Sequence, residues 1–546
     1  MKRNRVRVCV VLVCSLLFQN CQKEDISHNT HSIQQKDSEG KIKLGEKLIN
    51  PYSLENMKKA YESLQNQGQL KSCAVDEEVI QPTHYYVRFL PKDSLELQAL
   101  LSDSLELFDY PLDYAIEQEG YYYHDSSIPE DEMTWQYTAV GVNYEFPNVK
   151  YEIIEPCFIP NDSLETELKS KTEIDFLGML EYESNRLTNN LDEESEQVDE
   201  SGNLKRWRVP SKKEPHGTIQ VDNTIQGLEG VKRVKVRAHR YVKIKSTYTN
   251  ESGDYHIDMG FRYDVHYSLI FENSTGFKIW GNWAMFSPAH YNMGKHSKSG
   301  YSKNIHTNSK AWLWSTVNNG IYYYREYLCP KYGVSKPISD LRIWTLRTGG
   351  KWGGCAPMAR HISLGIKNLI DFLAISYAAI RTQGLTAALS ACLPDIFLFQ
   401  DYTSTRRCYA TLWHELSHAS HYTKVGKQYW TRYIAAISRN RGYGNGTGSL
   451  DGYIGVGEMW GNYFGNYVCC NDYFGYSHGW RHNELWYNPG FLVHSISYTN
   501  DITTNKIYSC LKKSVIDIDK LKNELKTKTS YDSQIDNAYD NYSDWP

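Results

Sequence analysis

From residue 234 the chain reads VKVRAH, with apolar Val234, Val236 and Ala238 alternating against Lys235, Arg237 and His239. Successive side chains of a strand point to opposite faces, so this alternation commits the segment to a sheet with one face on an apolar core. GTIQV from Gly217, VKIKSTYT from Val242 and IDMGFRYDVHYSLIFE from Ile257 continue the texture, and Asn250-Glu251-Ser252-Gly253-Asp254 marks a turn. Short alternating runs broken by turn residues predict an antiparallel β-sandwich over 205–290.

A sandwich of that size is a fraction of the chain. With 546 residues, several compact units are expected, and the whole is predicted to be multidomain α+β. A 41% hydrophobic content excludes a largely disordered protein. A formal charge of -4 with no long basic block argues against a nucleic-acid partner.

Upstream, residues 46–70 place Leu48, Ile49, Tyr52, Leu54, Met57, Tyr61 and Leu64 broadly on one side, which predicts a helix. HYYVRFLP, WQYTAVGV and VKYEIIEPCFIP read as short strands, so 46–200 is expected to be a small α+β domain ending in the acidic linker LDEESEQVDE. Residues 22–45 are polar and read as a tether. From about 300 to 546 helical periodicity takes over, as in IKNLIDFLAISYAAI at 366–380, and this third unit carries the chemistry.

Residues 1–21 combine a basic start (Lys2, Arg3, Arg5, Arg7), the apolar run Val8 to Phe18 and Gln19-Asn20-Cys21. That is a secretory signal, too short to span a bilayer, and no later run reaches 18 apolar residues. The Cys at its end resembles a bacterial lipobox of the broader Bacteroidetes kind, which implies lipidation of Cys21. The following Gln22-Lys23-Glu24-Asp25 resembles the acidic tag of Bacteroidetes surface lipoproteins. The implied address is the outer membrane, through a lipid anchor and facing outward. Nine of the 12 cysteines would remain in the mature chain, where an oxidising compartment allows disulfides and at least one Cys stays unpaired.

The densest chemistry is in LPDIFLFQDYTSTRRCYATLWHELSHASHYTKV at 393–425. Asp395 to Phe399 reads as an apolar strand, Thr403, Ser404 or Thr405 can cap a helix, and Gly426 is expected to stop it. Within the helix stands His414-Glu415-Leu416-Ser417-His418. Imidazoles at i and i+4 share a face and can reach one Zn²⁺, and Glu415 can take a proton from water beside it. This HExxH resembles the zincin metallopeptidase signature.

A catalytic zinc site needs a third protein ligand. His421 lies about 10.5 Å along the helix axis from His414, too far to close the site, so it is expected beside the ligands or facing substrate. The metzincin pattern fails, because position 421 is His rather than Gly and Lys424 stands where the third His belongs. Glu458, in GYIGVGEMWGNYFGNYVCC, follows on a segment readable as a helix from Val456 to Val468. That arrangement resembles the gluzincins, which implies Glu458 as third ligand and Asn462 near a ligand imidazole. The enhancin-like pattern differs at Ser417 and in its gap to the Glu.

An amide hydrolase also needs an oxyanion donor; His478 and His482 come first, ahead of Tyr487 and His494. The β-domain at 205–290 resembles the transthyretin-like, carboxypeptidase-regulatory type, which implies a spacer without catalysis. The expected function is zinc-dependent hydrolysis of extracellular protein or glycoprotein, with Asp395 to Phe399 as an edge strand for extended substrate. The alternatives are a glycan- or protein-binding lipoprotein with an inert zincin domain, and a scaffold in an outer-membrane complex.

Overall fold

The computed structural model is a mixed α+β protein. It describes residues 40–70, 79–160 apart from 104, 130 and 131, 175–191, 209–347 apart from 282–286, 353–362, 394–399, 401–476 apart from 441, and 486–542 apart from 488 and 498–500, with isolated positions at 164, 166 and 168. Cys21, His478, His482, the acidic linker beyond Leu191 and the expected helix at 366–380 lie outside the described residues.

The N-terminal layer has a three-stranded antiparallel sheet with His84–Leu90 between Gln136–Gly141 and Lys150–Cys157, the three runs whose alternation marked them as strands. Its helix covers Leu54–Asn66, shorter than the 46–70 expected. Ser53 Oγ accepts from the Asn56 amide at 3.2 Å and sets the start, with Pro51 just before it. Residues 43–47 instead form a strand against Tyr114–Gln118, so the tether reading ends before Lys43, and Ile49 is 58% exposed off the helix face. Met57, Ala60, Tyr61 and Leu64 are buried, and Tyr61 meets Phe176 of the helix Phe176–Leu187 edge-on.

The central feature is an eight-stranded sheet built from β1 (Val234–Arg240), β2 (Lys243–Tyr248), β3 (Val265–Asn273), β4 (Lys278–Trp280), β5 (His290–His296), β6 (Arg342–Leu346), β7 (Gly354–Cys355) and β8 (Ile396–Phe399). Its order is β7-β8-β6-β4-β3-β1-β2, with β5 on β3. Pairing among β1 to β5 is antiparallel, whereas β4, β6 and β8 run parallel to one another. A smaller sheet joins His216–Asn223 to Gly227–Gly230, Asp254–His256 and Lys303–Ile305. Segments read as a sandwich and a C-terminal unit therefore share a sheet, and one apolar core runs from Ile219 and Val236 to Trp413 and Leu521.

Two local expectations change. Asp395–Phe399 is no edge: β8 pairs with β6 on one side, and on the other Gly354 and Cys355 of β7 pair with Leu398 and Phe397. Among the described residues β7 is the end strand. Gly426 (φ 76°, ψ -175°) breaks the helix without ending it, since helical structure resumes to Asn440. Among the cap candidates Ser404 serves, its Oγ accepting from the Arg407 amide at 3.4 Å. Cys157, Cys329, Cys408, Cys469 and Cys510 carry no disulfide. No described helix is long and apolar enough to cross a membrane.

Candidate metal centre

The helix Thr405–Asn440, α1, is held in the core by its aromatic residues before it presents any chemistry. Trp413 is fully buried and donates its indole N–H to the Gly320 carbonyl at 3.0 Å. Trp460, on the helix Asp451–Trp460 (α2), donates to the Ser417 carbonyl at 3.1 Å. Each such aromatic contributes about 1.5–3 kcal/mol of burial, which fixes α1 against its neighbours.

α2 continues into a π-helical stretch, Gly461–Cys469, and two glycines let it lie directly on α1. A Cβ on Gly461 would stand 2.9 Å from Cε1 of both His414 and His418, and one on Gly465 would stand 2.6 Å from the His414 backbone. Without side chains there, the helices approach closely enough for Glu458 to reach both imidazoles.

The Nε2 atoms of His414 and His418 are 3.0 Å apart. Glu458 Oε2 lies 3.3 Å from His414 Nε2, and Oε1 lies 3.4 Å from His418 Nε2. One donor atom from each of the three falls within 4.8 Å of the others, and all three residues are buried. Two nitrogens and a carboxylate oxygen form a donor set that could hold a metal ion.

The electrostatics of the bare trio favour positive charge between the donors. Burial works against a charged His414, but the Glu458 hydrogen bond and the charges of Glu415 and Glu458 outweigh it and raise its pKa. Burial pulls His418 down to about 4, Glu458 opposing. Glu458 is held low against its own burial by the two imidazoles and by the Tyr433 hydroxyl, which donates to Oε1. Burial pushes Glu415 up to about 8, with His414 opposing and Glu458 adding to the shift. A cation between the donors would favour the ionised Glu415.

Glu415 is 1% exposed and its Oε2 has no hydrogen-bond partner. It faces a cavity of about 30 Å³ whose wall includes Cys355, Pro357, Ile434, Ile437 and Tyr443. β7 passes directly over it, because a Cβ on Gly354 would meet Glu415 Cγ at 2.7 Å. Trp430 Nε1 donates to the Ala356 carbonyl at 3.1 Å and ties the segment after β7 to the second half of α1.

His421 is fully buried between Tyr429 and Trp430, so it cannot face substrate, and neither ring nitrogen has a hydrogen-bond partner. Asn462 Nδ2 donates to the Glu458 carbonyl at 2.9 Å rather than to an imidazole. Tyr487 and His494 are described, but neither lines this cavity.

The sequence did not single out Tyr433 or the Gly354–Cys355 strand. Trp430, Tyr433, Ile434 and Ile437 follow i, i+3, i+4, i+7 spacing, which reads as an ordinary core face. The helix breaks at Gly426, and beyond the break Tyr433, Ile434 and Ile437 line the cavity with the metal ligands. Compared with family models, curated proteins and solved structures, the chain matches none.

Proposed function

We propose that this chain is a zinc-dependent hydrolase of peptide bonds, a gluzincin-type zincin, with His414, His418 and Glu458 as metal ligands and Glu415 as general base. The observation that carries the reading is the convergence of these three donors beside a buried carboxylate that faces a cavity under an end strand. When bound, zinc would polarise the scissile carbonyl and make a nearby water more acidic.

The chain's own residues supply the rest. Glu415 accepts the proton of the attacking water and passes it to the leaving amine, a general-base and general-acid role at one carboxylate. Tyr433 orients Glu458 through its hydroxyl, whose one proton is committed to that carboxylate, so the oxyanion donor remains the role proposed for His478 or His482. An extended substrate adds to the outer side of β7 (Gly354–Cys355), which takes over the part expected of residues 395–399.

The signal-like start and Cys21 support export and a lipid anchor in the outer membrane, with extracellular protein or glycoprotein as substrate. Strands from 216 to 305 support a non-catalytic, transthyretin-like role for the middle of the chain.

The test is the Glu415→Gln variant of the zinc-loaded chain, assayed on a pool of quenched fluorescent peptides. Zinc should stay bound while hydrolysis falls at least about 100-fold. A variant that cleaves as fast as the parent ends the proposed mechanism.

A further inference from the structure

The polar face of β1 is covered. Arg237 is 4% exposed and His239 is 3% exposed, because residues 106–110 of the N-terminal layer lie across them. Phe108 forms the wedge: the Arg237 guanidinium sits 3.4 Å above its ring, and the His239 ring meets it edge-on at 4.7 Å. Arg237 Nη1 donates to the Leu107 carbonyl at 2.7 Å, and Ser246 on β2 donates to Glu106. Farther along the same contact, the Asn292 amide on β5 donates to the Gly120 carbonyl at 3.0 Å.

Under this cover β1 and β3 place two histidines directly opposite one another. His239 pairs with His266 in register, and their rings stack 5.3 Å apart at 27°. Both Nδ1 atoms are buried without a hydrogen-bond partner, as is Arg237 Nε. A single added proton in this pair would sit against bases on nearly every side. His239 faces Arg237 on its own strand and His266 across the ladder, while Phe108 and Tyr110 close the top. His266 faces Arg240 on β1, with Lys295 and His296 on β5.

Of the carboxylates at the contact, Glu106 and Asp109 are committed elsewhere, and burial beside β5 raises Glu119 to about 7. Glu106 lies 3.6 Å from Lys235 and 3.7 Å from Arg237, and Asp109 approaches His290 of β5 at 3.6 Å. Neither is among the groups that shift His239 or His266. Buried imidazoles with basic neighbours stay neutral, and burial together with those neighbours carries His266 down to about 4.

We propose that this contact is an acid-sensitive latch, in which protonation of the stacked His239–His266 pair unseats the N-terminal layer from the sheet along residues 106–120. The sign follows from linkage. Both imidazoles hold fewer protons when the layer is seated than when it is released, because release relieves the burial that leads each shift while Arg237, Arg240 and Lys295 stay beside them on the sheet. The seated state keeps its full advantage above about pH 6.5 and loses it as pH falls from there toward 4. Every unit by which one imidazole is depressed contributes up to about tenfold to the seated-to-released ratio. His290 adds to this, since burial lowers its pKa with Asp109 at 3.6 Å opposing and Arg237 adding, whereas Glu119, raised to about 7 by burial beside β5, opposes it.

The test is hydrogen exchange of the full chain between pH 7.5 and 5.0, corrected for the intrinsic pH dependence of exchange. Protection of the Asn292 amide, whose bond to the Gly120 carbonyl crosses the contact, should fall at least about tenfold, while the Phe108 amide, bonded to Tyr137 within the layer, and amides of α1 around Leu416 keep theirs. In the double variant His239→Gln with His266→Gln, the pH response of the Asn292 amide should vanish. If the double variant does not fold, His266→Gln alone carries the test on the less buried ring, with the response reduced. Unchanged protection in the parent, or an equal response in the variant that folds, would overturn the proposal.

Discussion

In the metal centre His414 and His418 lie 3.3 and 3.4 Å from a buried carboxylate, whereas His239 and His266 stack on each other with Arg237, Arg240 and Lys295 as charged neighbours. All four Nδ1 atoms or their Nε2 partners are deeply placed, so burial does not separate the two pairs. What separates them is the sign of the charge nearby. The first pair shares its site with the ionised Glu458, which concentrates negative potential where a cation would sit, with Glu415 beside it. The second concentrates positive potential under an aromatic wedge, where only neutrality is comfortable. Buried histidines thus carry opposite meanings depending on whether acids or bases face them.

The comparison is broken most directly by metal. Zinc at about 1,000 times its dissociation constant should stabilise the chain by about 4 kcal/mol, read as a higher Tm that chelation reverses. Protection at Asn292 should not respond to either treatment. A Tm indifferent to zinc would leave the two histidine pairs alike.

Gly465→Ala is the next largest effect. Its Cβ would press on the His414 backbone at 2.6 Å and push α2 away from α1, at a cost of about 1–3 kcal/mol and with weakened zinc binding. Gly141→Ala, where a Cβ meets nothing within 4 Å, is the control and should move Tm little. Equal melting of both variants would show that the close approach of the helices is immaterial.

Glu415 should also answer pH with a slope opposite to that of the His239–His266 pair, whereas His418 and Glu458, both held low, share that pair's direction. In the metal-free chain Glu415 holds its proton up to about 8 when folded and only to its ordinary 4.5 when unfolded. Its contribution is therefore present below 4.5 and fades as pH rises toward 8, the reverse of the histidine pair, which weakens as pH falls below 6.5. Melting against pH for the metal-free parent and Glu415→Gln checks this, since the variant should lose the downward slope. Smallest is Tyr433→Phe, which removes the hydroxyl on Glu458 and should weaken zinc about tenfold by equilibrium titration.

How much of this was legible in the sequence depended on the range of the interaction that decides it. The i, i+4 imidazoles are a local property of one helix, and the need for a third donor, with the resemblance to gluzincins that place a Glu on a following helix, led to Glu458. The alternation at 234–239 likewise specified a strand. What covers its polar face is decided by Phe108, well over 100 positions away, and nothing local announces that. Residues 395–399 showed their apolar run but not their partners: the two-residue strand Gly354–Cys355 has no period to detect, yet it takes the edge. The π-helical stretch after Trp460 lacks a hydrophobic signature distinct from an α-helix, and Tyr433 looked like core, although beyond the break at Gly426 it lines the cavity with the metal ligands.

The central claim is that the acids facing His414 and His418 make a metal site. Metal content of the purified full chain, set beside its Glu458→Ala variant, tests it without any substrate. The account predicts about one zinc per chain in the parent and loss or strong weakening in the variant. A parent that binds no zinc, or a variant that binds it as well as the parent, would contradict it.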